Sequence, residues 1–151
     1  MKITHYIEKL IFASKWLLVP FYLKLFWTLI VLLFDFIVYG KISNEDMMHT
    51  LEDVDIVMIA NLVKMIITGS YHSFVSKAHG EDEHSTSGAL KVKMATSVVG
   101  VSAIHLLQTF IDSSNVPVEV IYKQIMIHSM FIVGAIALAF IDKLSIKTYH
   151  Q

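Results

Sequence analysis

The chain has 151 residues, 55% of them hydrophobic, with a mean hydropathy of +0.61 and a formal net charge of −1. That is too apolar for an ordinary soluble domain and fits a small helical membrane protein, while the near-zero charge leaves no basic surface of the kind nucleic acid needs. All 12 basic residues are lysine and cysteine is absent, which excludes guanidinium clamps, disulfides, thiol catalysis and cysteine-based zinc sites.

Residues 1–14 place Lys2, Ile3, Tyr6, Ile7, Leu10 and Ile11 on one helical face. This pattern predicts a short amphipathic helix lying in the membrane interface. No small-residue cleavage motif comes after it, and the next apolar run is too long for a signal peptide, so the segment is expected to stay in the mature protein. Four apolar stretches come next, over about residues 16–39, 54–74, 92–111 and 121–141. A bilayer core of about 30 Å needs about 20 helical residues. The expected fold is therefore all-α: a polytopic membrane protein, one domain over residues 1–151, with a four-transmembrane-helix bundle and the short N-terminal amphipathic helix.

The first stretch is bulky and aromatic, and is expected to face lipid more than the others, with Trp16 and Tyr39 at the two interfaces. Pro20 predicts a kink or the start of regular helix, and Gly40 its end. The connection over residues 40–53 is acidic, with Glu45, Asp46, Glu52 and Asp53; Ser43 or Asn44 can cap a short helical segment before Asp55. The second stretch carries Asn61, Lys64 and Thr68 on one face, with Asp55 near its outer end. A polar loop is expected over residues 80–88, where His79, Glu81, Asp82, Glu83 and His84 cluster without any standard zinc spacing; a solvated loop is expected and no metal site. Stretches three and four are joined by a compact turn of Ser113, Ser114, Asn115 and Pro117, and both carry small residues. Such faces allow close helix packing in lipid, so these two stretches are the expected core hairpin, with Ser129, Gly134, Ala135, Ala137 and Ala139 as the packing face of the fourth.

Eight lysines fall on one side of the spans (Lys2, Lys9, Lys15, Lys77, Lys91, Lys93, Lys143 and Lys147) and two on the other (Lys41 and Lys123). The positive-inside rule then predicts cytoplasmic termini and a cytoplasmic second connection.

A charge at the bilayer centre costs at least ~2.5–3.5 kcal/mol on insertion scales, so ionisable groups within spans are functional candidates. His105, Gln108 and Asp112 lie at i, i+3 and i+7 on one face of the third span, flanked by Ser102 and Thr109. His128, in the outer half of the fourth span, is the expected neighbour of His105 or Asp112. The functional reading is a proton or cation relay, since histidine titrates near neutral pH; the structural reading is interhelical hydrogen bonding. Asp55 and Lys64 complete the candidate set. Lys24, Asp35 and Asp142 are expected at or near interfaces, with Lys24 snorkelling. No nucleophile elbow, phosphate loop or zinc-protease motif occurs, so no enzyme and no cofactor are expected.

Phe12-Ala13-Ser14-Lys15-Trp16-Leu17-Leu18-Val19-Pro20-Phe21-Tyr22, Ser70-Tyr71-His72-Ser73-Phe74-Val75, residues 97–112 with Ile104-His105-Leu106-Leu107, Ile127-His128 and Asp142-Lys143-Leu144 together resemble the YqhA-like family of small bacterial inner-membrane proteins, which has plastid relatives. Lys15 stands where that family often has Arg. The resemblance implies a multi-pass bacterial inner-membrane protein and supplies no established activity. Asp55, Tyr71, His105, Asp112, His128 and Asp142 match its pattern; Asn61 and Lys64 do not. The expected function is an oligomeric small-ion channel or transporter for a cation or proton, a homo-oligomer because four short helices can hardly enclose a path alone. The alternative is a structural or accessory membrane protein that binds a partner complex or lipid.

Overall fold

The computed structural model describes the backbone at residues 2–79 and 84–149, and side chains at residues 2–75 and 88–148. Five α-helices succeed one another: α1 (Lys2–Leu17), α2 (Val19–Tyr39), α3 (Asn44–His79), α4 (His84–Ile111) and α5 (Val118–Tyr149). Among the described residues there is no strand. Four helical stretches are long and apolar enough to cross a membrane: Lys2–Tyr39, Asn44–Val75, Gly88–Ile111 and Val118–Thr148. The expected all-α, four-span architecture with its leading amphipathic helix therefore holds. The helices outrun the apolar stretches within them: α3 has 36 residues, about 54 Å of helix, because backbone hydrogen bonding does not stop where the side chains turn polar. Asn44 through Asp53, expected in a connection, are helical, and so are residues 84–88. Residues 80–83 of the expected loop, with Glu81, Asp82 and Glu83, lie outside the described residues.

The chain divides into two compact units, residues 1–64 and 65–151, with the division inside α3. In the first unit the run from α1 into α2 breaks at Leu18, which is buried at 6% exposure. Pro20 is the cause: it stands in the first turn of α2 and has no N–H to donate back into α1. The Leu18 N–H bonds the Lys15 carbonyl at 3.3 Å, and the Tyr22 N–H bonds that of Leu18 at 3.1 Å, so the chain turns without losing its bonds. α2 ends at Gly40, whose φ of +68° is the left-handed conformation glycine adopts freely, and its N–H bonds the Phe36 carbonyl at 2.9 Å. Ser43 then caps α3: its hydroxyl accepts the Asp46 N–H at 3.1 Å, and the Asp46 carboxylate accepts from the Ser43 N–H and hydroxyl.

In the second unit α4 and α5 form the closely packed hairpin that the sequence predicts. Their turn is held by Asp112, whose carbonyl accepts the Asn115 N–H at 3.0 Å, and by Pro117, whose carbonyl accepts the first α5 donors. Of the expected packing face, Ala135 is half-buried on the side of α5 that carries His128 and Asp142, while Ser129, Gly134, Ala137 and Ala139 are exposed. Gly134 has nothing within 4 Å of where a Cβ would stand, and α5 has no buried residue over 118–148. The close approach is at Gly88 instead, where a Cβ would stand 1.9 Å from Oδ1 of Asp142. α5 is thus at least as bare as the aromatic first span, which was expected to face lipid most. The carboxylate of Asp142 lies beside the first turns of α4, where the helix dipole favours negative charge.

A side chain at residue 88 must turn Asp142 aside, whereas one at residue 134 meets open space. Gly88→Val is expected to lower the thermal stability of the lipid-embedded protein by about 1–2 kcal/mol, and Gly134→Ala to leave it equal or raised by up to ~1 kcal/mol through helix propensity. Adding Asp142→Ala to Gly88→Val should recover most of the loss, read as melting temperature by circular dichroism.

Candidate functional site

Polar side chains occur within the span-forming helices of both units. In the first unit, Asp53, Val57 and Asn61 recur at four-residue intervals along one face of α3. Val57 is buried, with 6% exposure. The two polar members of this stripe meet α2. Lys24 Nζ lies 2.8 Å from Asp53 Oδ2, and the Thr28 hydroxyl donates to the same oxygen at 2.7 Å. The Tyr22 hydroxyl donates to Asn61 Oδ1 at 2.8 Å. Thr28 lies about 18 Å of helix before Gly40, and Asp53 about 14 Å into α3. The ion pair therefore sits level with the middle of α2 and just before the apolar stretch of α3, and Lys24 reaches a carboxylate rather than a headgroup. Sequence reasoning singled out none of Asp53, Thr28 and Tyr22 as candidates, although they make these interhelical contacts. Counting residues outward in both directions from the Gly40 turn would have paired them. Asp55 and Lys64, the expected candidates here, are both half-buried on α3.

In the second unit, His128 Nδ1 lies 2.9 Å from the Ser102 hydroxyl, which joins α5 to α4. The contact is about 15 Å of helix from the 112–117 turn on each side, half the depth of a bilayer core. His128 was expected beside His105 or Asp112; it bonds Ser102, one turn before His105. Thr109 is buried at 8% exposure, and its hydroxyl donates to the His105 carbonyl at 3.1 Å. One turn from His128, Gln124 keeps its Oε1 withdrawn from solvent and without a hydrogen-bond donor. Gln108 and Asp112 are half-buried, while His105 is exposed on the outside of α4. Asp112 is engaged locally: its Oδ1 accepts from Asn115 Nδ2 at 2.6 Å within the turn.

The chain matches the profile described as "Uncharacterized protein family, UPF0114" over residues 11–110. It is also 40% identical to UPF0114 proteins of Haemophilus influenzae strains PittEE, Rd and 86-028NP, with 98% of this chain and 90% of each relative covered. The chain belongs to the UPF0114 family. This is the YqhA-like family its motifs resemble. No solved structure matches it. The matched UPF0114 profile takes in Asp53, Asp55, Lys64, Ser102, His105 and Gln108 and stops before Asp112 and α5, whereas the full-length relatives extend the UPF0114 likeness to His128 and Asp142.

For this UPF0114 chain the ion pair makes a quantitative prediction. Asp53→Ala strands the Lys24 ammonium within a span. Because Lys24 is 60% exposed and can extend toward an interface, the loss is expected to be about 1–2 kcal/mol, below the full insertion cost. Lys24→Met combined with Asp53→Leu, which removes both charges, should recover at least half of it, as a double-mutant cycle of thermal melting in lipid nanodiscs would measure.

Proposed function

We propose that this protein is an oligomeric small-ion channel or transporter, for a cation or proton, in a bacterial inner membrane, with both termini and the connection after α3 in the cytoplasm. The observation that carries the reading is the polar run of α4 and α5: Ser102, His105, Gln108 and Asp112 along one helix, with His128 bonded to Ser102 from the other. Serine, glutamine and neutral histidine exchange hydrogen-bond donors and acceptors without large conformational change, which is what a proton or a partly hydrated cation needs from its surroundings. A homo-oligomer fits the same observation. His105 is exposed on α4, and among the described residues almost no side chain is buried. Packing that exposed face against other copies would line a shared path with polar groups from each. The orientation rests on the lysine asymmetry, and the bacterial inner membrane on the family likeness.

A structural or accessory role has its own support in Asp112, whose carboxylate is committed to its turn. Flux measurements separate the two. Protein reconstituted in liposomes is expected to pass a proton or monovalent-cation current, and His105→Ala to lower it by roughly tenfold or more, equivalent to about 1.4 kcal/mol of added barrier. Asp112→Asn should lower it less, because Asn preserves the turn. A folded wild-type preparation that passes no ion, and that co-purifies with one stoichiometric partner, would overturn the channel reading in favour of the accessory one.

A further inference from the structure

Within residues 65–151, the last turns of α3 and the first of α4 enclose a groove of about 400 Å³. Its floor is set by Gly69, which is buried: a Cβ there would stand 2.0 Å from Cδ2 of Leu90, so only glycine lets the two helices come this close without moving Leu90. The walls sort by depth. Ile66, Leu90 and Met94 supply apolar surface, Phe74 lies with 73% exposure along one edge, and Ser70, Ser73 and Lys91 supply the polar groups. Phe74 is the last residue of the second apolar stretch and Lys91 immediately precedes the third. The groove therefore opens at a membrane–water boundary and runs inward along α3 by about 12 Å, from Phe74 to Ile66.

Among the described residues the polar groups at its mouth have no partner. Ser97, Ser129 and Ser145 each turn the hydroxyl back to the carbonyl four residues earlier, whereas Ser70 and Ser73 form no hydrogen bond among the described residues. Among those residues no carboxylate pairs with Lys91 either. An ammonium and two hydroxyl donors stand at headgroup level above an apolar trough. A phosphodiester with an acyl chain below it matches that arrangement in both charge and depth. An inorganic phosphate would leave the trough empty, and a helix of a second copy would have to bring its own anion to Lys91.

We propose that this groove binds an acidic phospholipid, its phosphate held by Lys91 and the hydroxyls of Ser70 and Ser73, with one acyl chain along Ile66, Leu90 and Met94. The site is independent of the ion-transport reading. The test is native mass spectrometry of the full-length protein in mild detergent, titrated with phosphatidylglycerol or with phosphatidylcholine of the same acyl chains. The wild type is expected to prefer phosphatidylglycerol by about fivefold, the worth of one lysine near an anionic headgroup. Lys91→Gln should abolish that preference, and Lys143→Gln, a lysine on α5, should keep it. Met94→Trp, which fills the trough, should weaken both lipids while leaving helix content by circular dichroism unchanged. Equal binding of the two lipids by the wild type, or an undiminished preference in folded Lys91→Gln, would overturn the proposal. So would displacement of the lipid by millimolar inorganic phosphate alone, which would mark a free-anion site, or lipid loss tracking a change in oligomer mass, which would mark a contact between copies.

Discussion

Hydrocarbon offers no hydrogen-bond partner, and it is as apolar as a leucine side chain. Both facts govern this molecule. The first obliges every polar side chain within a span to find its partner in the protein; the second removes the force that would otherwise bury a core. Leu18, Val57 and Thr109 are the buried side chains of the described residues apart from glycine, while Trp27, Phe34, Ile136 and Phe140 are more than half exposed. In water such a surface would aggregate; against lipid tails it is the expected state. Helix is then held to helix by a short set of polar contacts and close approaches, Lys24 and Thr28 with Asp53, Tyr22 with Asn61, His128 with Ser102, and Gly88 against Asp142.

Those contacts depend on the turns. Because a helix rises a fixed ~1.5 Å per residue, the residues that reverse the chain decide which side chains share a level. Gly40 and Ser43 end one helix and start the next within four residues, and this places Thr28 opposite Asp53 and Tyr22 opposite Asn61. Asp112, Asn115 and Pro117 do the same for α4 and α5, placing Ser102 opposite His128 and Gly88 opposite Asp142. A turn one residue longer would rotate the next helix by about 100° and separate every one of these pairs. The polar contacts and the turns thus specify the same register, and this agreement between local and long-range choices stabilises a single arrangement.

The same logic divides what was legible in the sequence from what was not. Apolar length, Pro20, Gly40, Ser43 and the 112–117 turn each act within a few residues, so their consequences could be read directly. Asp53 could not. It sits at the end of an acidic run with Glu45, Asp46 and Glu52, and that company made it look like part of a solvated connection. Its partner lies 29 residues away, and only the register of the hairpin brings the two together. The small-residue face of α5 failed for a related reason: Gly134 and its neighbours permit a close approach, but nothing local says to which surface, and within the chain the approach is made at Gly88. His128 was expected against the third span, where it lies, but beside His105 or Asp112; its bond to Ser102 depends on side-chain reach that spacing alone does not give.

Polar groups in the spans therefore fall into two kinds, and the distinction bears on function. Asp53, Asn61 and Asp112 have partners that lie in their own hairpin or turn, and His128 has Ser102. These bonds account for their presence as structure, whatever else they do. His105 differs in where it points. It is exposed on the outside of α4, about 10 Å of helix from the turn, among side chains otherwise suited to lipid. Its ring is thus open to the chain's surroundings as well as to neighbours within the chain. The exposed apolar residues Phe110 and Leu107 flank it, so the outer surface of α4 carries a polar ring among side chains suited to lipid. Of the candidate polar groups along α4, this histidine is the one set to meet lipid, water or another protein, while Ser102, Gln108 and Asp112 are turned further inward.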